Sequence, residues 1–402
     1  MRILLAHNFY GSALPSGENQ VFKIEREMLR SRGHEVEDFV RHSDEIKGKG
    51  AWGLVRGALS TPWNPWAAAG IQRKVEKFRP DVVHVHNTFP LLSPAIFQAI
   101  GNRAARVLTL HNYRLFCPAA IPMRRDGTIC TRCLDQHSVL PSIQYGCYRG
   151  SRVANMPLAA SVALHQFLGT WDRQVDAFIA LTDFQRELMV KAGLPSDRVF
   201  VKPNFFPGNP VTVEWGRRNN VVVFAGRLSS EKGVGTLIKA WAQWGTEAPE
   251  LRIIGDGSLR GKLEMLARGA RVNFLGQVPS TQAQSEISHA KLLILPSECF
   301  ECFPMVIREA FAFGTPAAVT NVGPLPSIVQ HHKNGVVFNA GDPSSLLHVV
   351  SEVWQTPGKM QEMGAKARLT YETHYTEDIN YQLLMAIYDQ ALDKIKAYRL
   401  SL

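Results

Sequence analysis

No apolar run in these 402 residues approaches the ~20 needed to cross a bilayer. The opening Met1-Arg2-Ile3-Leu4-Leu5-Ala6 is a short apolar strand without the hydrophobic region of a signal peptide. A cytoplasmic location is therefore expected. With only six cysteines and a reducing compartment, structural disulfides are not expected. Tandem repeats and low-complexity tracts are missing, which excludes solenoid and fibrous architectures. The loop after the first strand is neither a Gly-x-Gly-x-x-Gly dinucleotide loop nor a Gly-x4-Gly-Lys-Ser/Thr phosphate loop, which speaks against a dehydrogenase or an ATPase. Carboxylates are scarce in the first half: residues 1–202 hold 26 Lys+Arg against 17 Asp+Glu, whereas the remainder holds 19 against 18.

The basic first half is expected to meet an anionic partner. Its cations are scattered and no nucleic-acid reader motif accompanies them, so nucleic acid is not the expected partner. An anionic membrane surface fits better. Lys47-Gly48-Lys49-Gly50-Ala51-Trp52-Gly53-Leu54-Val55-Arg56 mixes cations with apolar groups, and Trp63 and Trp66 follow. The competing reading is that these tryptophans pack between helices.

At 45% apolar and 20% charged residues the chain is an ordinary soluble composition, too long for one core. Apolar strands alternate with amphipathic stretches in both halves, which predicts α/β architecture with parallel sheets. The predicted strands are 3–6, 35–40, 82–86, 107–110, 177–181 and 199–201, then 221–225, 251–254, 272–275, 292–295, 317–320 and 336–338. Pro203-Asn204-Phe205-Phe206-Pro207-Gly208-Asn209-Pro210 breaks the pattern between them. The expected organisation is a Rossmann-like domain over 1–203, a linker over 204–218, a second such domain over 219–377 and a terminal helix over 378–402. Two doubly wound domains of this kind are expected to hold a ligand in the cleft between them.

The most informative stretch is Pro296-Ser297-Glu298-Cys299-Phe300-Glu301-Cys302-Phe303-Pro304-Met305-Val306-Ile307-Arg308-Glu309. It leads from a predicted strand into a predicted helix. In open α/β sheets, ligands lie at the carboxyl ends of strands, so Glu301 points where a substrate would sit. The amides of Cys302, Phe303, Met305 and Val306 are expected to open the helix and attract phosphate. Read alone, Glu301 is equally a cap and Glu309 a solvated helix residue. The matching turn earlier, Phe224-Ala225-Gly226-Arg227-Leu228-Ser229-Ser230-Glu231-Lys232-Gly233, sets two cations at a strand end, where they can neutralise a diphosphate leaving group.

Several motifs occur in one order: Gly17-Glu18, Arg32-Gly33-His34-Glu35-Val36, Asp81-Val82-Val83-His84-Val85-His86, Leu110-His111-Asn112, Pro203-Asn204, Gly226-Arg227-Leu228, Lys232-Gly233, Gly255-Asp256-Gly257, Glu301-x7-Glu309 and Gly314-Thr315-Pro316. That ordered set, covering nearly the whole chain, resembles the retaining nucleotide-sugar glycosyltransferases of family 4, with the GT-B fold. The closest likeness is to bacterial enzymes of capsule, O-antigen (lipopolysaccharide) or exopolysaccharide assembly. The resemblance implies that the second domain binds a nucleotide diphosphate sugar and the first an acceptor, lipid-linked or saccharide. Arg227 and Lys232 would hold the diphosphate with the amide of Gly17, while Glu301 would read the sugar and Glu309 the ribose. Gly276, Gln277 and Val278 would border the base, and His111 would lie beside the transferred sugar. The resemblance implies catalysis by His111, Glu301, Arg227 and Lys232, with no cofactor. No Asp-x-Asp motif occurs, so no catalytic divalent metal is implied. Pro304 stands where the family often has glycine and offers no N–H to a phosphate.

Acceptor candidates are His86, Asn112, Tyr113 and Arg114, the last two able to face an anionic acceptor. His84 and His86 are expected to face opposite sides of their strand, with His84 a hydrogen-bonded core residue. Cys117, Cys130, Cys133 and Cys147 are spaced Cys-x12-Cys-x2-Cys-x13-Cys, as four thiolates around structural zinc would be. Free thiols, a disulfide or an iron–sulfur group are the alternatives, and His137 could replace one cysteine. Cys299 and Cys302 read as small residues of the donor turn. Rival functions are a sugar-nucleotide epimerase or hydrolase, and a noncatalytic scaffold that recruits partners through its zinc loop.

Overall fold

The computed structural model describes residues 1–11, 16–47 and 50–400, without the side chains of 47, 51, 52, 54 and 398–400. The predicted loop segment Ser12–Pro15, Gly48 and Lys49, and the side chains of Lys47, Trp52 and Leu54, lie outside the described residues. Among the described residues no helix is long and apolar enough to cross a membrane.

The chain forms two compact units. One comprises Met1–Pro203 with Asn380–Leu402, and the other Asn204–Ile379. The first unit carries a parallel sheet of β1 (Arg2–Phe9), β2 (Glu35–His42), β3 (Val82–Asn87), β4 (Ala105–Thr109), β5 (Ala177–Ala180) and β6 (Val199–Val201), in the order β2-β1-β3-β4-β5-β6. The second carries β7 (Asn219–Ala225), β8 (Glu250–Ile254), β9 (Val272–Gly276), β10 (Ala290–Leu295), β11 (Ala317–Thr320) and β12 (Gly335–Phe338), in the order β12-β11-β10-β7-β8-β9. All twelve strands lie where they were expected, with ends that differ by at most three residues; β4 and β5 each stop one residue short of the expected end, at Thr109 and Ala180. The α/β fold class with two doubly wound parallel sheets is thus confirmed.

The central strands are largely apolar on both faces because helices cover both sides of a parallel sheet, whereas the edge strand β2 carries Glu35, Glu37, Asp38 and Arg41. Ile3, Leu4, Leu5 and Ala6 are fully buried, as are Val82, Val83 and Val85. The second unit's core surrounds Val222, Phe224, Leu237, Trp241, Leu251 and Ile294. Each aromatic there contributes roughly 1.5–3 kcal/mol by leaving water.

Each sheet reverses its winding once. In the first unit the reversal falls between β1 and β3, paired from Ile3↔Val82 with a register shift at Ala6/His7. In the second it falls between β7 and β10, paired at Val222↔Leu292 and Val223↔Leu293. The loops leaving the strands on either side of such a reversal diverge and leave a crevice, so ligands settle there.

The helix Glu377–Leu400 leaves the second unit and joins the first at Asn380. Its anchors are polar and specific: Tyr381 OH lies 2.9 Å from His34 Nε2, Tyr388 OH 2.8 Å from His84 Nδ1, and Lys394 2.7 Å from Asp197.

Candidate active site

The second unit's reversal point is built by the turns after β7 and β10. Gly233 lies at φ +64°, and a Cβ there would fall 1.9 Å from the Pro296 carbonyl oxygen. Only glycine lets the two turns meet so closely. They are tied by the Glu298 amide donating to the Glu231 carbonyl at 2.9 Å and by Thr236 Oγ1 donating to Glu298 Oε1 at 2.7 Å. On the other side, the Gly226 amide donates to the Ile254 carbonyl and the Gly255 amide to the Gly276 carbonyl, at 2.9 and 2.8 Å. The loops carrying Arg227, Asp256 and Gly276 therefore form one connected rim.

Within that rim Lys232 Nζ lies 2.5 Å from Glu301 Oε1, and Ser297 Oγ donates to the same oxygen at 2.6 Å. Burial pushes the Glu301 pKa upward, but the Lys232 ammonium, the hydrogen bonds from Lys232 and Ser297, and the Arg227 charge outweigh it and hold the carboxyl below its usual range. Burial likewise pulls Lys232 down, and Glu301 more than restores it. Both groups are thus ionised at neutral pH. One ammonium offers three donors and one carboxylate about four acceptor sites, so their mutual bond leaves capacity for a ligand. Arg227 is exposed beside them. Positive and negative groups side by side suit a ligand with a polyanionic part and a hydroxyl-rich part.

The helix after β10 runs Met305–Ala312 and starts behind Pro304 at φ −69°, ψ 117°. Cys302 and Phe303 therefore precede the helix and do not open it, contrary to the sequence expectation. Proline at the cap fixes the boundary one residue before the first helical amide. Met305 and Val306 are half-buried in its first turn. Phe303 is turned into the core, 5.2 Å from the Tyr375 ring. Glu309 is half-buried and its pKa is raised by burial, which the Arg308 charge partly offsets. Gly276 ends β9 at φ +69°, followed by exposed Gln277 and half-buried Val278.

In the first unit the candidate acceptor residues converge. A cavity with about 670 Å³ of empty space, its open mouth included, is lined by His86, Asn87, Phe89, His111, Asn112 and Arg114, and by Leu158, Ser161, Val162 and Trp171 across from them. His86 Nδ1 lies 3.0 Å from His111 Nε2. Asn112 Nδ2 donates to Glu18 Oε1 at 2.9 Å, and Arg114 stacks over the Phe89 ring at 4.2 Å. Tyr113 is 1% exposed and does not line the cavity. Burial, then the charge of His86, keeps His111 well below the ordinary imidazole range, so it is neutral at pH 7. Burial raises the Glu18 pKa, opposed by the Asn112 hydrogen bond and the Arg114 charge. Gly17 begins the helix Gly17–Ser31, and Glu18 projects from its first turn.

His84 and His86 share a face, with ring centroids 4.4 Å apart. The expectation of opposite faces is corrected: side chains alternate with period two, so residues i and i+2 lie on the same side. His84 is a core histidine, its Nε2 2.7 Å from Thr109 Oγ1. Both rings lie against buried Glu25, whose Oε1 is 3.1 Å from His84 Nδ1 and 3.2 Å from His86 Nε2. These three ligand atoms are close enough for a metal ion. The local cation, however, is Lys202, whose Nζ donates to Glu25 Oε2 at 2.9 Å and to Asn380 Oδ1 at 3.1 Å. A carboxylate already matched by a buried ammonium has little call for a second cation. Glu25, Lys202 and Ser297 escaped sequence reasoning. Glu25 and Lys202 are 177 positions apart, and no local spacing connects them.

No disulfide joins any of the six cysteines. Burial, then the Cys133 charge, pushes Cys117 up to about 12, and burial pushes Cys133 up to about 11. The cysteines at 117, 130, 133 and 147 influence one another's charge. Among the described residues, however, no three of their sulfurs lie within 4.8 Å of one another. Cys299 is buried beside Glu301.

Two family models match consecutive stretches: Glycosyltransferase Family 4 over residues 17–207 and Glycosyl transferases group 1 over 212–370. An exopolysaccharide phosphotransferase of Streptomyces coelicolor is 31% identical over 203 residues, 48% of this chain and 21% of that protein. Other relatives near 30% identity are also matched over less than half of their own length. The N-acetyl-alpha-D-glucosaminyl L-malate synthase of Bacillus anthracis is 23% identical over 342 residues, 83% of this chain and 81% of that protein. Among solved structures, Anabaena Alr3699/HepE in complex with UDP superposes with a TM-score of 0.64 at 18% identity, covering 97% of this chain and 100% of that one. The two matched stretches follow one another over most of the chain, and the sheet topology and the solved neighbours show the GT-B fold.

Proposed function

We propose that the chain transfers a hexose-type sugar from a nucleotide diphosphate sugar to a lipid-linked or saccharide acceptor, with retention of anomeric configuration, in cell-envelope polysaccharide synthesis. The observation that carries this reading is the Lys232–Glu301 pair at the β7/β10 reversal, with Arg227 exposed beside it. Arg227 and Lys232 neutralise the charge that develops on the departing diphosphate, which is the main catalytic contribution in a site without a protein nucleophile. Glu301 accepts from sugar hydroxyls and Glu309 from the ribose. Gly276 and Val278 border the base, and Met305 and Val306 present the helix start. Phe303 supports the turn from the core.

In the first unit His111 stands beside the transferred sugar, while His86, Asn112 and Arg114 hold the acceptor and Tyr113 supports them from beneath. Solved neighbours carrying UDP, and UDP-glucose in one case, support a nucleotide-sugar donor and put uridine first among bases to try. The named exopolysaccharide relative supports the envelope setting. A lipid-linked acceptor would be met at the cytoplasmic face of a membrane.

The test is release of nucleoside diphosphate from UDP-, GDP- and ADP-sugars with and without acceptor. Lys232→Ala and Glu301→Ala should each lower transfer by roughly 10²–10³-fold. Intact transfer in either variant overturns the assignment. Release at one rate with and without acceptor points to a hydrolase instead.

We also propose structural zinc on Cys117, Cys130, Cys133 and Cys147, which would draw the four sulfurs together and deprotonate thiols that burial keeps protonated. Metal analysis of chelator-free protein showing almost no zinc removes this proposal.

A further inference from the structure

The helix Arg152–Phe167 has two unlike faces. Leu158, Ser161 and Val162 line the first unit's cavity. The opposite face exposes Val153, Met156, Ala160, Ala163 and Phe167, all apolar and spaced three or four residues apart. Phe167 is 87% and Val153 81% exposed. Water should select charged or polar residues on the outer face of a surface helix, and this one carries none in the stripe. A continuous exposed apolar stripe marks an interaction surface.

The stripe continues onto a neighbouring segment. Ser161 Oγ donates to the Thr61 carbonyl at 3.2 Å, His165 Nε2 lies 2.9 Å from the Pro62 carbonyl, and the Trp63 ring stacks on His165 at 5.9 Å. Leu59, 73% exposed, and Trp66, 64% exposed, flank that turn, and Arg56 stacks over the Trp66 ring at 5.4 Å. The charge pattern names the partner. Residues 46–75 contain five Lys or Arg and no Asp or Glu, and residues 136–171 contain Arg149 and Arg152 and again no carboxylate. Apolar side chains with aromatic rings, Arg56 over one of them, in stretches of sequence that carry cations and no carboxylate, complement an anionic bilayer surface.

We propose that this face, formed by the outer side of the Arg152–Phe167 helix with Leu59, Trp63 and Trp66, seats the first unit on an anionic membrane. The helix then forms a shared wall between the lipid and the acceptor cavity, so a lipid-borne acceptor reaches His111 without crossing bulk water. This deepens the lipid-linked-acceptor reading and rests on it for its purpose, while docking itself is measured without catalysis.

The test is co-sedimentation of the full chain with vesicles of phosphatidylcholine alone and with one third phosphatidylglycerol. The chain should bind the anionic vesicles, more weakly as salt rises, and M156D/F167D should bind about tenfold less. Thermal unfolding of the double variant checks its fold. Should it fail to fold, the single exposed variants Phe167→Ser and Trp66→Ser carry the test, each with a severalfold loss. Equal binding by variants and parent overturns the proposal, as does failure of the parent to bind. Light scattering is run in parallel. A dimer that the double variant makes monomeric, with no vesicle binding, assigns the face to a second copy and also overturns it. Thermal shift with UDP-sugar separates the two readings. Loss of donor response in the parent sinks the transferase reading, whereas loss of vesicle binding alone sinks only the docking surface.

Discussion

The two units place their candidate residues at the same topological feature and solve the electrostatics in opposite ways. At the β7/β10 reversal, opposite charges are kept ionised by one another near the surface, with Lys232 and Glu301 at 2.5 Å. At the β1/β3 reversal, His7, His84 and His111 are packed among aromatic rings and held neutral by burial. Burial and the charge of His86 bring His7 down to about 3 and His84 to about 4. A buried ion pair, Glu25 with Lys202, lies against His84 and His86. The difference teaches that a shared fold dictates where a site lies but not its chemistry. Ionised groups suit a polyanionic donor, and neutral hydrogen-bonding rings suit a hydroxyl acceptor.

The strongest way to break the comparison is to unpair the buried charge. Lys202→Ala leaves Glu25 uncompensated among His84, His86 and Asn380, and should cost about 3–5 kcal/mol of stability, read as a lower urea midpoint. No change would mean that the first unit does not depend on its ion pair. Next comes Arg227→Ala, which removes the exposed cation proposed for the diphosphate without touching the core. It should reduce transfer by roughly 10²-fold and leave thermal unfolding unchanged; a stability loss matching the activity loss would assign Arg227 a structural role.

Acidification should separate the units. His7 and His84 stay neutral when folded, while the unfolded chain binds their protons below about pH 6.5, so stability falls as pH drops from 6.5 toward their folded values. At pH 5 each is expected to cost roughly 2 kcal/mol. Urea titration at pH 7 and 5 measures this, and His7→Phe should flatten the profile. The smallest effect is expected for Ser297→Ala. It deletes one hydrogen bond to Glu301 and should cost about 1–2 kcal/mol, seen as weaker donor binding in calorimetry.

How far the molecule could be read from its sequence follows the same division. Twelve strands were legible because parallel strands buried on both faces are short, continuous apolar runs. The Lys232–Glu301 turn was legible because its residues lie within two short segments that follow strands paired in one sheet. The exact helix start was not, since Pro304 decides it through cap geometry. In the first unit His86, His111, Asn112 and Arg114 could be picked out from strand ends, yet their support could not. Glu25, Lys202, Asn380 and Tyr388 come from four distant segments, and only the completed fold shows that they meet. The exposed stripe from Val153 to Phe167 also escaped, because apolar helical spacing in sequence looks the same whether it faces a core or a solvent.

The central claim is that the Lys232–Glu301 turn of the second unit holds the nucleotide diphosphate. Calorimetric titration of UDP, with GDP and ADP alongside, into the parent chain and Lys232→Ala tests it most directly. The account predicts saturable binding of at least one nucleotide by the parent, weakened about tenfold or more without the ammonium. Equal affinity in the two proteins would contradict it.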